Sequence, residues 1–169
     1  MSRIVTVTLQ NQYESTHKML ENLLDMIPDH VWYSSYHDIL VWKQVYHVVF
    51  FIDFWFREQY DESDFRSMTF HDSINPELKS EVLEGISISR EEMKGYLDKI
   101  HSKTEKVFAS LNDFDIARPI IKGVENYTYT DVILGQIRHI MYNIGYCNSC
   151  LREYGLPEAD WYAYNEDED

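Results

Sequence analysis

The sequence predicts an all-α domain, a four-helix bundle with a long crossover between its second and third helices. Three observations lead there. In four separate segments apolar residues recur at three- and four-residue spacing, the period of one helix face. Glycine and proline are scarce, six and four among 169 residues, which suits long helices better than many tight turns. One connection is far longer than the others. A chain of this length forms a single domain with a real core, expected here over residues 1–160, with an acidic C-terminal tail over 161–169.

The first helix is expected from about Thr8 to Ile27, with Leu9, Tyr13, Thr16, Leu20, Leu24 and Ile27 on one stripe and Pro28 closing it. The second is expected from about Asp38 to Glu58, its inward face reading Leu40, Gln44, His47, Phe51 and Phe54. The third starts at a capping box, Ser89 with Glu92 three residues on. Its stripe continues through Met93, Tyr96, Leu97, Ile100, Thr104, Val107, Phe108 and Leu111. The fourth opens near Thr128 or Thr130 and carries Ile133, Ile137, Ile140, Ile144, Cys147 and Leu151. It ends at Gly155, with Pro157 beyond. Between the second and third helices lie roughly thirty residues, too many for a hairpin in a compact domain. They form a crossover with a short helix near Pro76–Leu83. No substantial sheet is expected. In the tail, Trp161 and Tyr162 dock on the bundle and the last acidic residues are disordered.

Charge narrows the function. Twenty-nine acidic residues against 15 basic ones give a net charge of −14. That balance disfavours a nucleic-acid backbone, which is bound by Lys and Arg displacing counterions, and equally an anionic membrane. "MSRIVTVTLQNQYEST" lacks a signal core, and the longest apolar run, "VVFFIDFWF", is broken by Asp53 and too short to span a bilayer. The expectation is a cytoplasmic protein. Cys147 and Cys150 form a C-x-x-C in mid-helix, away from the N-terminal dipole that stabilises a redox thiolate, and no second pair completes a zinc ribbon. They read as structural thiols. Thirteen tyrosines, with the other aromatics, exceed what one small core hides, and an exposed apolar patch on a bundle marks a homodimer face.

Three polar residues, His47 on its stripe and His139 and Asn143 at the edge of theirs, carry potential chemistry. His47 sits in the apolar run of the second helix. His139 and Asn143 are one turn apart in "GQIRHIMYNIG", so both can reach one ion from the same helix face. They serve equally well as the polar edge of a packed helix. Folding the first helix against the second, and the third against the fourth, also brings His17 level with His47 and His101 level with His139. Each helix then offers a histidine near one layer.

The stretches "VYHVVFFIDFW" and "TYTDVILGQIRHIMYNIGYCNSCLREYG", with the long connection between the second and third helices, resemble the DinB-like bundle proteins, the superfamily that includes bacillithiol transferases. The resemblance covers nearly the whole chain. It implies a DinB-like four-helix bundle in which a His of the second helix and a His-x-x-x-His of the last bind zinc or nickel. The matching positions are His47, His139 and Asn143, so the third ligand departs from the pattern. An Asn carboxamide is a weaker ligand than imidazole for these metals. The resemblance thus implies a degenerate, weakly binding metal site in a protein that binds a small molecule or a partner without strong catalysis. The alternative is a divalent-metal-dependent thiol S-transferase, whose thiol cofactor would bind the metal as thiolate, with Trp42, Tyr46 and Tyr142 helping to line its pocket.

Overall fold

The computed structural model describes residues 1–57, 60, 74–121 and 124–163. The chain is mostly helical. Helix α1 spans Ile4–Met26 and α2 Asp29–Trp32; strands β1, Ser35–Tyr36, and β2, Ile39–Leu40, lead into α3, Val41–Trp55. Helices α4, Arg90–Ser110, and α5, Asp113–Ile116, precede β3, Pro119–Ile121, β4, Val124–Thr128, and α6, Tyr129–Glu153.

Helix α1 begins four residues before the expected Thr8, and its own N-cap, Arg3, supplies no side-chain bond. A remote residue does so instead. Asp113 accepts from the Thr6 amide and the Thr6 hydroxyl, both at 2.9 Å, and from Ser2 Oγ at 2.6 Å. A carboxylate at a helix N-terminus satisfies free amides and complements the dipole. Sequence spacing along α1 carries no trace of a cap contributed from over a hundred residues away.

Helix α3 is shorter than expected because Asp38 belongs to a turn. His37 and Asp38 both have positive φ, 46° and 63°, the geometry that joins two antiparallel strands through two residues. Here they close β1 onto β2, with Tyr36 opposite Ile39. The second ladder, β3 with β4, is likewise antiparallel. Neither short ladder was expected from the helical periodicity, since two- to five-residue strands carry too few alternations to register.

The inward face of α3 also differs from the expected one. Val41, Val45, Val48, Val49 and Ile52 are buried, and of the expected face Gln44 is buried while Leu40, His47, Phe51 and Phe54 are only half-buried. Because eleven of the fifteen α3 residues are apolar and Lys43, Gln44 and Asp53 are buried among them, periodicity alone does not select the deeper face. For α4 the expected stripe from Met93 to Phe108 is buried throughout and the Ser89–Glu92 capping box is formed. Thr128 caps α6 through a reciprocal box with Asp131. Gly155, φ 68°, ends α6 in a Schellman turn: its amide bonds Arg152 O at 3.0 Å and the Leu156 amide bonds Leu151 O at 3.0 Å.

Helix α1 packs chiefly on α4 and α6, and α3 on the same two. Neither α1 with α3 nor α4 with α6 makes a comparable contact among the described residues. The first and second long helices therefore lie across from one another, as do the third and fourth, and the levelling that placed His17 beside His47 and His101 beside His139 does not apply. Of the long connection, residues 61–73 lie outside the described residues. The expected helix near Pro76–Leu83 is replaced by a turn over 77–80. In the tail, Asn148 brackets Ala159, donating to its carbonyl and accepting from its amide at 3.0 Å each. Tyr162 packs on the core, but Trp161 is 69% exposed. Residues 164–169 lie outside the described ones.

Candidate metal centre

His47 of α3 and His139 of α6 meet across the α3–α6 interface. Their Nε2 atoms are 3.1 Å apart and their ring centroids 5.0 Å, with the planes tilted by 66°. The Phe51 ring, one turn beyond His47, lies edge-on to both, at 4.8 and 5.8 Å. His47 Nδ1 is 2.9 Å from the Pro76 carbonyl. A carbonyl only accepts, so Nδ1 carries the proton and the Nε2 lone pair of His47 is free to face its partner. Burial lowers the His47 pKa, against the opposing pull of the Pro76 carbonyl and Glu77. Burial, with a smaller contribution from His47, pushes His139 down to about 4. Both rings are neutral near pH 7, the state in which imidazole ligates metals.

Without a cation, His139 must donate its Nε2 proton to His47. That leaves His139 Nδ1 as a bare acceptor, and this atom is buried with no partner. With a cation between the rings the two Nε2 atoms become ligands. Tetrahedral zinc at about 2.0–2.1 Å from each nitrogen sets them about 3.3 Å apart. The observed spacing is within a few tenths of an ångström of that value, so these two positions fit a divalent cation.

The third position does not. Asn143, 3% exposed, donates from Nδ2 to the His139 carbonyl at 2.7 Å. That bond orients the amide, and Oδ1 in turn accepts from Gln44 Nε2. Asn143 thus bonds the helix through Nδ2 and a neighbouring amide through Oδ1, which holds its side chain in place. Asn143 ties α6 to α3 beside the histidines. Gln44, 1% exposed, keeps a buried Oε1 with no partner. It was visible in the sequence as a polar residue one turn before His47. The Pro76 carbonyl, from the long connection, had no sequence signal.

Lys43, one turn before His47, is buried and donates to Ser80 Oγ at 2.9 Å and to the Ser80 carbonyl. Of the aromatic residues expected near the site, Trp42 and Tyr46 are core residues and Tyr142 is 78% exposed. Cys147 and Cys150 are both free thiols and buried, and burial raises Cys147 to about 12. Such thiols are inert as nucleophiles.

His17 and His101 meet elsewhere, across the α1–α4 interface, with rings stacked at 4.4 Å. One donor atom each from His17, Glu21 and His101 lies within 4.8 Å of the others, a group that could hold a metal ion. Glu14 Oε2 is 2.7 Å from His101 Nε2. The four histidines thus form two pairs on opposite interfaces. Helical spacing of Glu14, His17 and Glu21 was legible in the sequence; the pairing with His101 was not. Comparison of the chain with family models, curated proteins and solved structures gives no significant match.

Proposed function

We propose that this chain is a DinB-like four-helix-bundle protein whose His47–His139 pair binds a divalent cation, zinc or nickel, weakly. It acts by binding a small molecule or a partner and not through strong catalysis. One observation carries the reading: two neutral imidazoles present Nε2 atoms at 3.1 Å, with the tautomer of His47 set by the Pro76 carbonyl. An outer carbonyl of this kind orients a ligating histidine and raises its basicity. The four long helices and the long α3–α4 connection support the bundle assignment. Catalytic zinc normally has three protein ligands and one open position. Here the third is engaged with Gln44, which favours weak binding over catalysis.

A thiol S-transferase remains the second reading, because a cation held by only two protein donors has positions to spare for a thiolate. In either case we place the protein in the cytoplasm, as a homodimer associating through exposed apolar side chains such as Tyr33, Phe114 and Trp161. Competitive titration of untagged protein carrying His101→Ala, which removes the His17–His101 group, against a chelating dye tests the reading. Zinc or nickel affinity should fall about tenfold or more in both His47→Ala and His139→Ala, taking the loss of an outer-sphere partner as the lower bound. If neither substitution changes uptake while the fold is retained, the pair is a hydrogen-bonded core contact.

A further inference from the structure

We infer that His17, Glu21 and His101 form a second cation site, independent of the His47–His139 pair, that takes a zinc-like divalent ion and ties α1 to α4. Two imidazoles and a carboxylate suit zinc and its neighbours, whereas magnesium and calcium favour all-oxygen sets. Tetrahedral donors around zinc sit about 3.3 Å apart. The donors already lie within 4.8 Å of one another, on side chains of two packed helices.

Ion pairing alone does not account for the arrangement. His17 Nδ1 is 3.4 Å from Glu21 Oε1, and His101 Nε2 is 2.7 Å from Glu14 Oε2. These contacts leave His17 Nε2 and Glu14 Oε1 buried without partners. His17 is 1% exposed, so no solvent compensates its ring nitrogen. Glu14 and His17 are one turn apart and share a helix face. With Nδ1 donating to Glu21, the orphaned Nε2 carries a lone pair. Once Glu21 turns from the ring to an ion, His17 offers a lone pair, and a divalent cation is the occupant that uses lone pairs from two imidazoles and a carboxylate at once. Glu14, bonded to His101, is the orienting carboxylate that ligating histidines commonly have.

Two cavities border the carboxylates of the site. A cavity of about 290 Å³ is lined by Glu14 and Lys18, and another of about 210 Å³ by Lys18, Glu21 and Lys94. Half-exposed Glu21 and His101 are the groups an entering ion meets first; buried His17 completes the site.

The test uses the full chain, untagged, carrying His47→Ala and His139→Ala, so that the other pair contributes nothing. Zinc is titrated against a competing dye, and thermal unfolding is followed with zinc and with magnesium. One zinc per chain is expected. Affinity should fall about tenfold or more on adding His101→Ala or Glu21→Gln. Zinc, but not magnesium, should raise the melting temperature of the parent, since an ion that binds only the folded state stabilises it. Glu21→Gln, on a half-exposed carboxylate, carries the test if His101→Ala does not fold. The inference is overturned if the parent takes up no zinc, or if its uptake is unchanged by these substitutions.

Discussion

Asn143→His places a third imidazole beside His47 and His139, and its consequences for metal and for fold run in opposite directions. A third nitrogen ligand should tighten zinc or nickel binding by about tenfold or more, on the order of 1.4 kcal/mol. The fold is expected to weaken before metal is added. Asn143 holds Gln44 Nε2 and the His139 carbonyl, and Gln44 Oε1 is already without a partner. Removing the amide strands both ends of a Gln44 side chain that is 1% exposed. Leaving a buried polar group unsatisfied costs about 1–3 kcal/mol. At about 2–4 °C per kcal/mol for a chain of this size, the metal-free variant should melt some degrees below the parent. Zinc should restore most of that loss. Dye competition at fixed pH gives the affinity, and circular dichroism with and without zinc gives the stability. His47→Ala in the same background should abolish the gain. Unchanged zinc affinity in a folded Asn143→His variant would refute the idea of a triad lacking one ligand.

Acid should destabilise the fold through the same pair. His47 and His139 are depressed in the folded state, so the unfolded chain binds the extra protons and stability falls as pH drops. The window runs from the ordinary histidine value of about 6.5 down to about 4 for His139. Discounted for partial exposure, the loss is about 1–3 kcal/mol, and His139→Gln should flatten the pH dependence of urea unfolding. Cys147 should resist alkylation by iodoacetamide in native protein at pH 8 and react on denaturation; rapid native labelling would contradict its raised pKa. Asp113→Ala should lower the melting temperature and detach the first turn of α1, seen as faster amide exchange at Ile4–Val7; unchanged exchange would mean that Asp113 does not cap α1.

The long helices were legible because their signals are local and repeated. Ser89 with Glu92, Thr128 with Asp131, and Gly155 each mark a terminus within a few residues of chain. The buried stripe of α4 follows because polar residues alternate with it. Helix α3 shows the limit: with Lys43, Gln44 and Asp53 buried among its apolar residues, polarity does not mark the outer face. His47 and His139 could be nominated as residues, and their meeting rests on α3 packing against α6. Asn143 was placed correctly on its helix face, but its orientation depends on Gln44, a partner 99 positions earlier. Pairing of His17 with His101 depends on which helices are neighbours, and hydrophobic spacing does not encode that choice.

The central claim is that one cation is shared by the Nε2 atoms of His47 and His139. Long-range ¹H–¹⁵N correlation of the histidine rings, recorded during zinc titration, tests it most directly. The account predicts a protonated Nδ1 on His47 throughout, and zinc-dependent shifts of the Nε2 resonances of both His47 and His139 that saturate together. If zinc leaves both Nε2 resonances in place while the protein stays folded, the pair is a hydrogen bond in the α3–α6 interface and the claim is wrong.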